Sequence, residues 1–297
     1  MDTVERALRL YGAPVYVRKQ IVHNKHVVDD LRRRGAVFVD SVDEVPRGST
    51  LVFSAHGVSP AVRDASAERR LNTIDATCPL VTKVHTQARR YADAGYAIAF
   101  IGHAGHEEVE GTTGEAPDAI VLVESVEDAR TVDLPRDRPL AYVTQTTLSI
   151  DETREIIDVL RQRFPQIEAP AKEDICYATS NRQWAVKELL DEVELLLVIG
   201  SRNSLNSKRL VEVARAAGIE AHLVDDASEI DETWLDDVDT VGVTSGASAP
   251  ERLVRDVCDW FRARGVDDIA EHSSQFEDVV FRLPVELRRA QRSTAAA

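Results

Sequence analysis

The sequence predicts an α/β protein of three similar lobes, each with a small parallel sheet, packed about one central site. One phrase, a short apolar strand running into an acidic helix start, occurs three times, at 38–44, 122–128 and 223–229. Each copy is preceded by a strand that breaks into a polar turn (14–24, 96–108 and 195–207). Each is followed by a second apolar strand ending in small polar residues (51–60, 140–149 and 241–250). Strands alternating with helical segments at this rhythm imply parallel sheets. In such sheets ligands sit beyond the carboxyl ends of the strands, and the turns of three equal lobes would meet at their common centre.

Taken in order, the lobes are expected at 1–78, 79–173 and 174–265, with a C-terminal extension and disordered tail over 266–297. The chain opens in a helix from Val4 to Tyr11, with Asp2 placed to cap it and Glu5 as capping-box partner. No strand precedes that helix, so the first lobe reads as a unit lacking its first strand. The 297 residues carry 36 Lys and Arg against 51 Asp and Glu, a formal charge of −15. This is the opposite of the basic footprint of a nucleic-acid binder. The longest strongly apolar run, Leu195 to Ile199, is far too short to span a bilayer, and the first residues contain no apolar signal core. No nucleic acid, no membrane and a cytoplasmic location are therefore expected. The three cysteines, Cys78, Cys176 and Cys258, are too few and too scattered for a disulfide framework.

Cys78 and Cys176 occupy matched contexts, DATCP (75–79) and DICYAT (174–179). Each follows an acidic and an apolar residue and leads into a helix. A thiol at a helix N-terminus is expected to have a lowered pKa and to be ready for metal. Cys258 instead falls on or beside the apolar stripe of an amphipathic helix. The segment GHAGHEEVEG (102–111) sets two histidines and three acids between glycines. There His106 can donate to an anion and Glu108, at a helix start, can relay protons. Because it is not His-Glu-x-x-His, it supports zinc hydrolysis only weakly.

These segments, with SAHGVS (54–59), TQTTLS (144–149), GSRNSLNS (200–207) and TSGASAP (244–250), resemble the 4-hydroxy-3-methylbut-2-enyl diphosphate reductase family from about residue 4 to residue 289. The resemblance implies a pseudo-threefold trefoil of lobes around a [4Fe-4S] cluster held by three cysteines. Two electrons and protons then remove the substrate hydroxyl as water, giving isopentenyl and dimethylallyl diphosphate. It assigns Cys78 and Cys176 to the cluster. It assigns His23, His56, His106, Ser204, Asn206 and Ser248 to the diphosphate, and Glu108 with Thr146 to proton transfer. A diphosphate substrate and an electron donor such as ferredoxin or flavodoxin follow as partners. Imidazoles, hydroxyls and an amide at helix starts would concentrate donors on an anion without a lysine cluster.

Two departures accompany the resemblance. The family's first cysteine lies in an N-terminal segment with no counterpart in these residues, and Leu205 stands where a second serine is common. They set a cluster-free homologue that only binds a diphosphate beside the reductase reading. A metal-dependent hydrolase using His103, His106 and Glu108 is a third, weaker alternative.

Overall fold

The computed structural model describes residues 1–272 and 279–295. Its first lobe contains α1 (Asp2–Tyr11), β1 (Val15–Arg18), α2 (Lys25–Arg33), β2 (Ala36–Val39), β3 (Thr50–Phe53), α3 (Pro60–Glu68) and β4 (Asn72–Asp75). The second contains α4 (Pro79–Asp93), β5 (Ala97–Ile101), α5 (Glu107–Glu115), β6 (Ile120–Val123), α6 (Val126–Thr131), β7 (Leu140–Thr144) and α7 (Ile150–Arg163). The third contains α8 (Tyr177–Leu189), β8 (Leu195–Ile199), α9 (Leu205–Ala216), β9 (Glu220–Val224), β10 (Val241–Ser245) and α10 (Glu251–Arg262). A final helix, α11 (Val285–Ala295), follows.

Three separate parallel sheets result, in the orders β2-β1-β3-β4, β6-β5-β7 and β10-β8-β9. The recurring phrase forms β2, β6 and β9 with the capped turns that follow them. Strands β5, β7 and β8 are buried along their whole length. Helices cover both faces of these sheets, so such strands read as unbroken apolar runs without alternation. Separate clusters of Ile, Leu, Val and Phe line the two faces of each sheet, and the three lobes thus have their own cores.

Three details differ from expectation. Asp2 is the first helical residue of α1, capped by Met1 with no side-chain bond, so the expected capping box does not form. The first sheet holds the three strands shared with the other two and adds β4, which the sequence reading did not mark as a strand. The expected disordered tail is also corrected within 285–295. There α11 folds back on the first lobe, and its fully buried Leu287 shares a core with Val4 and Ala7 of α1. Residues 273–278 and 296–297 of that extension lie outside the described residues.

In each lobe the central strand (β1, β5 or β8) runs into a turn whose polar side chain caps the next helix. Asn24 Oδ1 accepts from Val27 N–H at 3.0 Å, His106 Nδ1 from Glu108 N–H at 3.1 Å, and Ser204 Oγ from Ser207 N–H at 3.3 Å. Side chains that accept from exposed helix N–H groups are favoured there, which explains the choice of residue type. All three helix starts lie at the carboxyl ends of their sheets.

Candidate active site

Three imidazoles from three turns meet at the centre. His23, after β1, stacks on His56, after β3, with centroids 4.1 Å apart and planes 16° apart. His106, the N-cap of α5, stands edge-on to both, at 5.6 and 5.5 Å. Glu107 Oε2 accepts from Ser54 Oγ–H at 2.8 Å and lies 3.4 Å from His56 Nδ1. Glu108 is buried, and its Oε2 accepts from both the N–H and the O–H of Thr146 at 2.9 Å. Adjacent acids therefore serve different partners, Glu107 the imidazoles and Glu108 the Thr146 turn.

Burial, reinforced by the neighbouring His56, pushes His23 down to about 4 and His106 down to about 3, so both are neutral near pH 7. Because His106 Nδ1 accepts from Glu108 N–H, its one proton is on Nε2 and available to a ligand. Burial also acts to lower His56, but the hydrogen bond and charge of Glu107, with Glu108 behind, raise it above the usual histidine value. For Glu107, burial acts upward and is outweighed by His56 and Ser54, leaving its carboxyl lower than usual. Burial raises Glu108 against the opposing effects of His56 and Thr146, so it holds its proton to higher pH than an ordinary carboxylic acid.

The third lobe closes this centre. Ser248 Oγ donates to the His23 carbonyl at 2.9 Å, and Ser204 Oγ accepts from Ser207 Oγ–H at 3.0 Å. Gly200 after β8 and Gly246 after β10 press on Ser207, whose Oγ a Cβ at either position would strike. Asn206 lies beside Gly246, and neither end of its buried amide has a hydrogen-bond partner. His23 Nδ1 is likewise buried and unbonded. Buried polar atoms are nearly always paired, and each one left open costs about 1–3 kcal/mol. Their gathering here marks a place for a polar ligand. Leu205 begins α9, half-buried, where it offers no donor.

Cys78 and Cys176 occupy the N-cap positions of α4 and α8, which enter the same region, and neither side chain makes a capping bond. Cys176 N–H donates to Thr146 O at 3.0 Å, and its Sγ lies 3.0 Å from Thr179 Oγ1. The expected lowering of their pKa is corrected. Burial, together with the charge of Glu108, raises both thiols and outweighs the N–H groups of Leu80 and Val81 at Cys78 and the hydrogen bonds of Thr179 at Cys176. The helix start alone therefore does not supply a thiolate at either position. Cys258 lies in α10, beside buried Val257, and takes no part in the site.

Sequence reasoning missed Glu107 and Ser54, although Glu107 stands between two residues it selected. The hydrolase trio does not form, since His103 Nε2 pairs with Arg209. Among the described residues, the group with ligand atoms close enough for a metal ion is His23, His56 and Glu107, within 4.8 Å of one another.

Three α/β lobes closing on thiols, imidazoles and a buried carboxylic acid define the class, a trefoil enzyme with these side chains gathered at its pseudo-threefold centre. A family model described as LytB protein matches residues 1–262, and the chain belongs to the LytB family. It is 60% identical over 290 residues to 4-hydroxy-3-methylbut-2-enyl diphosphate reductase of Acidothermus cellulolyticus, covering 97% of this chain and 85% of that protein. It is 56% identical over 295 residues to the protein of the same name from Streptomyces coelicolor, covering 99% and 87%. The solved E-1-hydroxy-2-methyl-but-2-enyl-4-diphosphate reductase of Plasmodium falciparum superposes with a TM-score of 0.96 at 35% identity, covering 99% of this chain and 93% of that one.

Proposed function

We infer that this chain binds (E)-4-hydroxy-3-methylbut-2-enyl diphosphate and reduces it to isopentenyl and dimethylallyl diphosphate. The carbon–oxygen bond of the hydroxyl breaks, two electrons and two protons are taken up, and water leaves. The observation that carries this reading is the gathering of buried, unbonded polar groups (His23, Asn206) and a carboxyl group that burial makes harder to ionise (Glu108) at one centre flanked by two thiols. His23, His56, His106, Ser204, Asn206 and Ser248 hold the diphosphate.

Glu108 supplies a proton. Both Thr146 donors sit on Oε2, so the acidic proton belongs on Oε1, and Thr146 fixes the carboxyl while helping to pass the proton. A neutral His106 can hold the diphosphate through Nε2–H without competing for the acid's proton.

Two thiolates suit an iron–sulfur cluster in kind but fall one short of the three cysteines the family resemblance implies. Cys258, within α10, does not make up the difference. When bound, such a cluster supplies electrons and an iron site for the hydroxyl oxygen, and Cys78 and Cys176 would hold it. The electrons would come from a small redox protein such as ferredoxin or flavodoxin. No helix among the described residues is long and apolar enough to cross a membrane, and a cytoplasmic location fits that partner.

The test is anaerobic turnover of the substrate with a chemical reductant. The two olefinic diphosphates should form, and Glu108→Gln should bind substrate but turn over about 10²–10⁴-fold more slowly, the usual contribution of a general acid. Tight substrate binding with no product at any iron loading would instead establish the cluster-free binding protein, a reading that Leu205 favours.

A further inference from the structure

The two thiol-bearing turns are reached in different ways. Cys78 follows β4, which pairs with β3 over four registered residues. Its own N–H donates to Ala55 O at 2.9 Å, and Asp75 Oδ1 accepts from Thr77 N–H at 3.0 Å just before it. In the second lobe the corresponding ladder shrinks to one bridge, Ala141 to Glu168, and no strand or helix forms again until Tyr177. A side chain spans this irregular stretch. Lys83 Nζ donates to the carbonyls of Lys172 and Glu173, at 2.7 and 2.6 Å, and lies 3.0 Å from Asp174 Oδ1.

Two of the ammonium's three N–H donors meet the carbonyls of Lys172 and Glu173, and Asp174 Oδ1 from the next residue faces it as an ion pair. Lys83 is on α4, the helix capped by Cys78. The Asp174 side chain is fully buried, and its Oδ2 accepts from Thr144 N–H at 3.1 Å. Thr144 ends β7, two residues before Thr146, which holds Glu108. We propose that Lys83 is a positioning residue, fastening the turn that carries Cys176 to the helix that carries Cys78. Through Asp174 it also fastens that turn to the strand end that orients Glu108. Lys83 thus does for the second thiol what β4 does for the first. The proposal rests on reading the two thiols as a paired ligand set.

Without Lys83, two carbonyls lose their donor and the buried Asp174 side chain loses its ion-pair partner, so the turn should open locally. The test is the rate of alkylation by iodoacetamide, followed cysteine by cysteine by mass spectrometry in metal-free protein under anaerobic conditions. In Lys83→Met the Cys176 rate should rise about tenfold, as expected for local opening, while the Cys258 rate stays unchanged. Lys83→Arg, which keeps the charge and the donors, should restore most of the protection. Iron retained after anaerobic reconstitution should fall in Lys83→Met relative to wild type.

An unchanged Cys176 rate in Lys83→Met, or an equal rise at Cys258, overturns the proposal. Should Lys83→Met fail to fold, Asp174→Asn decides the matter in the same way. It should expose Cys176 selectively, and wild-type rates would refute the tether. The thiol reading itself fails separately, if Cys78→Ser and Cys176→Ser keep wild-type iron.

Discussion

At the scale of single residues, the centre holds side chains away from their solution protonation states. His23 at about 4 and His106 at about 3 stay neutral where unfolded histidines, near 6.5, take up protons. Between those values the unfolded chain binds more protons, so stability is complete above pH 6.5 and is lost as pH falls. Each group steepens that loss by about 1.4 kcal/mol per pH unit within its window. Urea midpoints at pH 7, 6 and 5 should therefore decline, and the double variant His23→Gln/His106→Gln should flatten the decline. Parallel declines in the two proteins would contradict the assignment. The sequence identified these histidines through their position at strand ends. It could not yield the thiol pKa values, because the dipole of a helix start is local whereas burial and the charge of Glu108 arise from lobes distant in sequence. Glu107 escaped notice for the same reason, since its partners Ser54 and His56 belong to another lobe.

At the scale of elements, close approach places the donors. Gly200 and Gly246 let the ends of β8 and β10 close on Ser207, whose hydroxyl bonds Ser204 at the start of α9. In Gly200→Ala the new Cβ strikes Ser207, so α9 should shift, with overpacking costing about 1–3 kcal/mol. Affinity for the diphosphate should fall as well, since Ser204 and Asn206 move with the helix. Leu287→Ala in α11 makes the contrasting case. It should cost about 2–4 kcal/mol by opening a cavity against α1, with diphosphate affinity unchanged because Leu287 packs in the apolar core of the first lobe and on none of the polar side chains of the centre. Thermal unfolding and calorimetry on both variants check the pair, and equal affinity losses would show that stability alone governs binding. The strands β5, β7 and β8 were legible because burial on both faces demands unbroken apolar residues. β4, with its polar sequence NTID, and α11, beyond a polar stretch, were not, because their pairing and docking depend on tertiary neighbours.

At the scale of the whole molecule, no lobe holds the site alone. The first brings His23, His56 and Cys78, the second His106, Glu108 and Thr146, and the third Ser204, Asn206 and Ser248. The threefold repetition was visible in the sequence because the same strand-and-turn phrase appears in each lobe. The differences between lobes were hidden in it: one strand of four in the first sheet, a single bridge and a lysine in the second. Identical lobes would place identical groups around the axis, and these departures break that equivalence. A protein of net charge −15 that binds a diphosphate needs a local concentration of donors, and the proposed site assigns that role to side chains of all three lobes. Calorimetric titration of the metal-free protein with the substrate diphosphate tests that most directly. One molecule should bind per chain, with affinity reduced at least tenfold, about 1.4 kcal/mol, in each of His56→Ala, His106→Ala and Asn206→Ala, variants from three different lobes. Wild-type affinity in any two of these variants would contradict a single site shared by the three lobes.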